Sequence, residues 1–141
     1  MRNIFFLFFA FLPLAMCSQQ SESLKEKFAD YFLIGATINQ EDYQIIDNDE
    51  KILKIVSEDF SSVTPENSMK WMHSHPEYSK FTFSNAQKIT DFAKENDMYL
   101  LGHTLVWHNQ VPDYVSKIED KSKFNLHVKN HIFQLVTRFK G

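Results

Sequence analysis

Residues 101–110 read Leu-Gly-His-Thr-Leu-Val-Trp-His-Asn-Gln, and this stretch decides which fold the chain can adopt. An apolar run leads into it from Met98 and Tyr99, and polar and aromatic residues stand at its far end. A buried parallel strand that ends at a binding cleft has this pattern, because its body packs in the core and its carboxyl end meets the cleft. We therefore predict a strand from Met98 to Trp107, with functional side chains at its exit.

The rest of the chain alternates predicted strands and helices. Apolar runs predict two earlier strands, at residues 32–38 and 60–64. Apolar residues at helical spacing predict a short helix over residues 24–31 and three longer ones, over residues 49–60, 84–96 and 122–139.

Two of these helices carry more specific expectations. Ser84 and Gln87 have the spacing of a capping box, which predicts that the 84–96 helix begins at Ser84. The last helix is expected to bury one apolar face, made of Phe124, Val128, Ile132, Leu135 and Phe139.

Three strand-helix units in succession indicate an α/β fold with parallel strands and right-handed crossovers. A doubly wound nucleotide-binding sheet is the structural rival, but the first turn, residues 34–39 (Ile-Gly-Ala-Thr-Ile-Asn), lacks a glycine-rich phosphate loop. We therefore expect a (β/α)8 TIM barrel, which typically takes about 250 residues. Only the first three units of such a barrel are present in this chain.

Composition limits the classes of partner. The chain has 141 residues, 43% hydrophobic and 23% charged, which fits one globular domain at most. Its net charge is −3 and its basic residues form no concentrated patch. Because phosphate contact needs a basic face, nucleic acid is not an expected partner.

The first 16 residues are predicted to be a signal peptide. Arg2 supplies the positive charge, and an apolar run from Ile4 to Met16 is too short to cross a membrane. The only cysteine, Cys17, ends this run in Leu-Ala-Met-Cys, which resembles the lipobox of bacterial lipoproteins. That resemblance implies lipidation of Cys17 and a place in the cell envelope. The polar residues that follow predict a short tether over residues 17–23. A plain secretory signal is the alternative.

Three sequence blocks carry a wider resemblance. They are Asn39, the run Val-Thr-Pro-Glu-Asn-Ser-Met-Lys-Trp at 63–71 and the run Gly-His-Thr-Leu-Val-Trp-His-Asn-Gln-Val-Pro at 102–112. Together they resemble glycoside hydrolase family 10, the endo-1,4-β-xylanases. The resemblance implies a (β/α)8 barrel that cleaves xylan with retention, using two glutamates about 5–5.5 Å apart.

In that family the acid/base glutamate belongs to a Trp-Asp-x-x-Asn-Glu motif, which these 141 residues do not contain. We therefore expect residues 24–141 to be the N-terminal part of the catalytic barrel. Both catalytic glutamates are expected beyond Gly141, and this chain alone is predicted to be inactive.

The residues that match the family blocks are expected to bind the glycone side of the substrate. The amides, the carboxylate and the lysine suit sugar hydroxyls, and the indole suits the C–H face of a sugar ring. If the strand is straight, His103 lies deeper than Trp107. The expected substrate-binding residues are Asn39, Glu66, Asn67, Lys70, His103, Trp107, His108 and Gln110.

No metal, and no cofactor, is expected. His73 with His75, and His127 with His131, have spacings found in metal sites, but neither pair has the further ligands of a zinc site. We interpret all four as exposed polar residues. The expected partner is xylan or a xylo-oligosaccharide, and the protein is expected to be a monomer.

Two alternatives stay open. The chain could belong to a non-catalytic surface lipoprotein that binds polysaccharide through the same residues. A metal-dependent barrel hydrolase is the other.

Overall fold

A computed structural model describes residues 22–39 and 50–140 of the chain. The predicted signal peptide, Cys17 and the predicted helix start near Asp49 lie outside these residues. Within the described ranges, no helix has both the length and the apolar character needed to cross a membrane.

The described chain contains three strands and six helices. The strands are β1 (Gly35–Ile38), β2 (Ser62–Pro65) and β3 (Tyr99–Leu100). The helices are α1 (Leu24–Lys27), α2 (Glu50–Asp59), α3 (Trp71–Ser74), α4 (Ser84–Glu95), α5 (Asp113–Ser116) and α6 (Lys121–Phe139). The strands form one sheet in the order β1-β2-β3, and both pairs are parallel. The predicted α/β alternation with parallel strands is confirmed for these units.

The third strand is much shorter than predicted. It ends at Leu100, and residues 101–110 form an irregular loop instead of continuing to Trp107. In the parallel ladder Tyr99 N–H donates to Ser61 O and Leu101 N–H donates to Val63 O. The next bond would need an N–H at position 65, which is proline. Pro65 therefore ends the ladder at the point where the loop begins.

The main core lies between the sheet and helices α2 and α4. Ile38, Val63 and Met98 contribute from the sheet side, and Val56, Ile89 and Ala93 from the helices. Gly35 allows β1 and β2 to lie close together, because a β-carbon there would come within 2.6 Å of Ser62 Oγ.

The cap predicted at Ser84 is wrong. Phe83 is the residue that precedes helix α4, and its side chain makes no capping hydrogen bond. The Gln87 amide is used elsewhere, since its Nε2 donates to Asp91 and its Oε1 accepts from Arg138, both at 2.8 Å. A capping box is found instead at the start of α1, between Ser23 and Glu26.

A second buried cluster lies between α3, α5 and α6. Of the four histidines interpreted as exposed, three are buried in it and His73 is half-buried. We call His75, His127 and His131 the histidine cluster. All three are buried, and His75 and His131 are fully so. Their rings lie among aromatic side chains. The spacing of the histidines in the sequence did not predict this burial. Among the residues described, no three His, Cys, Asp or Glu side chains are placed to hold a metal ion.

The buried face of α6 agrees with the predicted one at Leu135 and differs from it elsewhere. The residues that lie deepest are His127, His131 and Leu135, which are four residues apart and so share one face. Phe124, which was expected in the core, is 38% exposed. The helix therefore buries two histidine rings most deeply, whereas Val128 and Ile132 of the predicted face are half-buried.

Candidate functional site

Four of the predicted binding residues meet at the carboxyl edge of the sheet. Asn67, just after β2, donates from Nδ2 to Asn39 Oδ1 at 3.3 Å, which joins the ends of β1 and β2. Its own Oδ1 accepts from Lys70 Nζ at 2.9 Å and from Gln110 Nε2 at 3.3 Å. One amide therefore links side chains from three segments of the chain into a single network.

Lys70 is the central charge of this network. Its side chain is 8% exposed, and its Nζ lies 5.0 Å from the centroid of the Trp107 ring. No carboxylate lies within salt-bridge distance of it among the described residues. A buried ammonium is costly unless its donors are satisfied. Asn67 and the indole face supply part of that compensation, and the remaining N–H donors can bind a ligand oxygen.

Gln110 closes the network from the far end of the loop. Its φ is 52°, and its carbonyl accepts from Met72 N–H at 2.9 Å. Its side-chain Oε1 is buried without a hydrogen-bond partner. A buried acceptor without a partner costs about 1–3 kcal/mol, so a ligand hydroxyl that donates to it would recover this cost.

Trp107 borders the network through Lys70, and Glu66 directly precedes Asn67 in the chain. Trp107 is 37% exposed and its ring meets that of His108 edge-on, with centroids 5.3 Å apart. Glu66 is exposed, and its backbone N–H donates to Ile38 O at 2.9 Å, which fixes it at the end of β2. An exposed indole face beside a polar cluster suits a ring with one apolar and one polar edge.

His103 does not join this arrangement. It is exposed, as Trp107 is, so the prediction that it lies deeper than Trp107 is wrong. The prediction assumed a straight strand, whereas the chain has left the sheet before residue 103. In the described part of the chain, no hydrogen bond or ring contact joins His103 to the network.

Sequence reasoning missed the layer behind the network. Trp71, directly after Lys70, is 3% exposed, and its indole N–H donates to Tyr114 Oη at 3.0 Å. The Trp71 ring stacks on His131, with centroids 4.2 Å apart and an interplanar angle of 3°. The i, i+4, i+8 spacing of His127, His131 and Leu135 places them on one helix face, and this spacing could have predicted that the two histidines are buried with Leu135.

Burial of the histidine cluster predicts acid sensitivity. Burial lowers the pKa of His131 to about 4. The hydrogen bond to the Leu105 carbonyl raises this pKa, and the charge of His75 lowers it further. Burial also lowers the pKa of His75. Groups facing the two rings are Trp71, Phe81, Tyr114, His127 and the carbonyls of Tyr78 and Leu105. None of these is a carboxylate.

In the unfolded chain the His131 imidazole has a pKa of about 6.5, above its value in the folded chain. The folded chain therefore has its full stability above pH 6.5 and loses stability as the pH falls toward 4, because the unfolded chain binds the proton more readily. We expect the free energy of unfolding to drop by about 2 kcal/mol from this source between pH 7 and pH 4. Urea unfolding at several pH values would measure it. His131→Gln should flatten the profile and His103→Gln should not. An unchanged profile in His131→Gln would contradict the assignment.

The sequence and the fold can now be compared with known proteins. Residues 23–141 match the sequence profile of glycosyl hydrolase family 10. The chain belongs to this family. The three parallel strands are consistent with the first units of the (β/α)8 barrel that the family implies.

Relatives that are similar in sequence are named as xylanases. The β-1,4-xylanase of Dictyoglomus thermophilum is 40% identical over 119 residues, which are 84% of this chain and 32% of the relative. The endo-1,4-β-xylanase A of Xylanibacter ruminicola is 33% identical over 92% of this chain and 36% of its own. The chain therefore spans about a third of the length of these relatives.

Solved structures agree with the sequence comparison. Xylanase 10B from Thermotoga petrophila RKU-1, crystallised with xylobiose, superimposes with a TM-score of 0.78 at 36% identity. The match covers 86% of this chain and 38% of that one. Xylanase 10B from Thermotoga maritima gives a TM-score of 0.77 at 37% identity, over 84% of this chain and 37% of its own.

Proposed function

We propose that this chain supplies the glycone-side sugar-binding part of an endo-1,4-β-xylanase. The observation that carries the proposal is the network in which Asn67 joins Asn39, Lys70 and Gln110 beside the exposed face of Trp107. Family membership supports the substrate class, and the position at the carboxyl ends of parallel strands is where barrel enzymes bind their substrates.

In this proposal the chain's residues hold the donor sugars while two glutamates cleave the bond. Lys70 donates to a sugar hydroxyl, Gln110 Oε1 accepts from another, and Trp107 packs on a ring face. Glu66, His103 and His108 add contacts along the rim. Contacts that strengthen toward the transition state raise the rate of cleavage rather than substrate affinity alone.

The two catalytic glutamates are proposed to follow Gly141 in a longer chain, which we call the extended chain. The acid/base would protonate the leaving oxygen and the nucleophile would form a glycosyl-enzyme, as retaining glycosidases do. Reading the coding sequence past Gly141 tests this directly, with a Trp-Asp-x-x-Asn-Glu motif expected within about 20 codons, the spacing that the resemblance implies.

The activity test compares the two lengths of chain on soluble xylan. We expect no release of reducing sugar from the 141-residue chain and rapid release from the extended chain, with the anomeric configuration retained. Saturable xylan binding by the extended chain without any release of reducing sugar would favour the non-catalytic binding lipoprotein instead. Absence of both binding and release would contradict the proposal.

We further propose that the protein is exported and anchored to the cell envelope through Cys17, with secretion without an anchor as the alternative. The apolar run before Cys17 and the Leu-Ala-Met-Cys sequence support this. Labelled palmitate should enter the wild-type protein and not Cys17→Ala. Label in neither protein, with both found in the medium, would favour the secreted alternative.

A further inference from the structure

The loop that carries Trp107 is held by the sheet at one end and by the network at the other. Leu101 N–H donates to Val63 O at 3.0 Å, and Gln110 bonds to Asn67 and to Met72 N–H. We call residues 101–110 the Trp107 loop. Its position decides whether the indole lies over Lys70.

Between its two ends the Trp107 loop has one hydrogen bond to the remainder of the described chain. His131 Nε2 lies 2.8 Å from Leu105 O, and since a carbonyl only accepts, Nε2 carries the proton. No other residue from 102 to 109 forms a hydrogen bond with a residue outside the loop in ranges 22–39 and 50–140.

Packing alone holds the loop weakly. Leu105 and Val106 are exposed by 37% and 45%, and a pocket of about 230 Å³ lies between the loop and α6. Its lining includes Thr104 and Leu105 from the loop and Leu135, Val136 and Phe139 from α6. Because apolar contact between loop and helix is incomplete, the directional bond to Leu105 has a larger share in fixing the loop.

His131 is itself held rigidly. Its side chain is 0% exposed, and its ring stacks on Trp71, the residue that follows Lys70. The same imidazole thus contacts the segment that carries Lys70 and the loop that carries Trp107. Its Nδ1 is buried without a hydrogen-bond partner, so no other polar contact competes for the ring orientation.

We propose that His131 is a positioning residue of the sugar-binding site, whose hydrogen bond to Leu105 O holds the Trp107 loop so that the indole lies against Lys70. This inference rests on the proposed function. In it, His131 on helix α6, behind the site, determines where the Trp107 indole lies. His131 touches no sugar in this proposal and acts through the loop.

Two substitutions in the extended chain separate the ring from its N–H. His131→Phe keeps a planar ring on Trp71 and removes the donor, whereas His131→Gln keeps an N–H at a similar reach and removes the ring. We expect xylotriose to bind about tenfold more weakly to His131→Phe, and His131→Gln to recover most of the affinity, because one neutral hydrogen bond is worth about that much. If His131→Phe does not unfold cooperatively, His131→Asn, whose shorter amide cannot reach Leu105, replaces it.

A double-mutant cycle with Trp107→Ala shows whether the effect passes through the loop. With the indole removed, His131→Phe should weaken xylotriose binding less than twofold. An equal loss in both backgrounds would overturn the proposal, because it would mean that His131 supports the whole edge and not the indole. Unchanged affinity of His131→Phe in the wild-type background would overturn it too.

The proposed function fails in a different way. If neither Trp107→Ala nor Lys70→Met changes xylotriose binding, the site itself is misassigned and His131 has nothing to position. If both weaken binding while His131→Phe does not, only the present inference fails. Should the coding sequence end at Gly141, the same variants are compared in the 141-residue chain.

Discussion

Xylotriose is expected to bind about 30- to 100-fold more weakly when Lys70 is replaced by methionine in the extended chain, a loss of about 2–3 kcal/mol. Methionine keeps a long apolar stem and removes the charge and all three N–H donors. A hydrogen bond from a charged donor is worth about twice a neutral one, so Lys70 should dominate the site. Titration calorimetry would measure the affinity.

Lys94→Met is the matched control for this substitution. Lys94 is exposed in the last turn of α4 and forms no bond to the network in the described part of the chain, so its loss should leave affinity within twofold. Within the site, Asn67 Oδ1 would still accept from Gln110 after the change, so the network should survive. Equal affinity of Lys70→Met and wild type, with unchanged circular dichroism, would refute a sugar-binding role for Lys70.

Replacing Trp71 with alanine should lower the free energy of unfolding by about 3–5 kcal/mol, the range for large buried aromatic residues. Trp71 is 3% exposed, stacks on His131 and donates to Tyr114 Oη. Its removal leaves a cavity, takes one hydrogen bond from the Tyr114 hydroxyl and leaves the His131 ring without this stacking partner. Urea unfolding followed by circular dichroism would measure the loss.

Trp107→Ala is the control, since it removes the only other tryptophan of this sequence. Trp107 is 37% exposed and lies in a loop, so its loss should cost less than about 1 kcal/mol of stability while weakening sugar binding. Trp71→Phe should fall between the two, because it retains a ring and loses the N–H. A larger loss of stability in Trp107→Ala than in Trp71→Ala would contradict this division between packing and binding.

The sequence predicted the order of the units and the side chains that gather at the sheet edge. Alternating apolar runs and helical spacing sufficed for three parallel strands. Asn39, Asn67, Lys70 and Gln110 were grouped by family resemblance, and the structure brings them into one hydrogen-bonded network. Their role in binding sugar stays a prediction.

Two features could not be predicted from apolar pattern alone. The strand expected to reach Trp107 stops at Leu100, because Pro65 in the neighbouring strand has no N–H for the next ladder bond. His75, His127 and His131 are buried although their residue type is often exposed, since aromatic neighbours from distant segments surround them. Both outcomes depend on partners far away in the chain.

Pro65 has no backbone N–H, and this affects which amino-acid replacements the protein can tolerate. Since no ladder bond crosses from β2 to the chain after Leu101, amino-acid replacements beyond that boundary need not disturb the pairing of the strands. No ladder bond therefore ties the segment after Leu101 to β2, and its position depends instead on the bonds of Gln110 and on the bond between His131 and Leu105. Replacements in that segment can therefore change the surface that the loop presents while the strand pairing keeps its geometry.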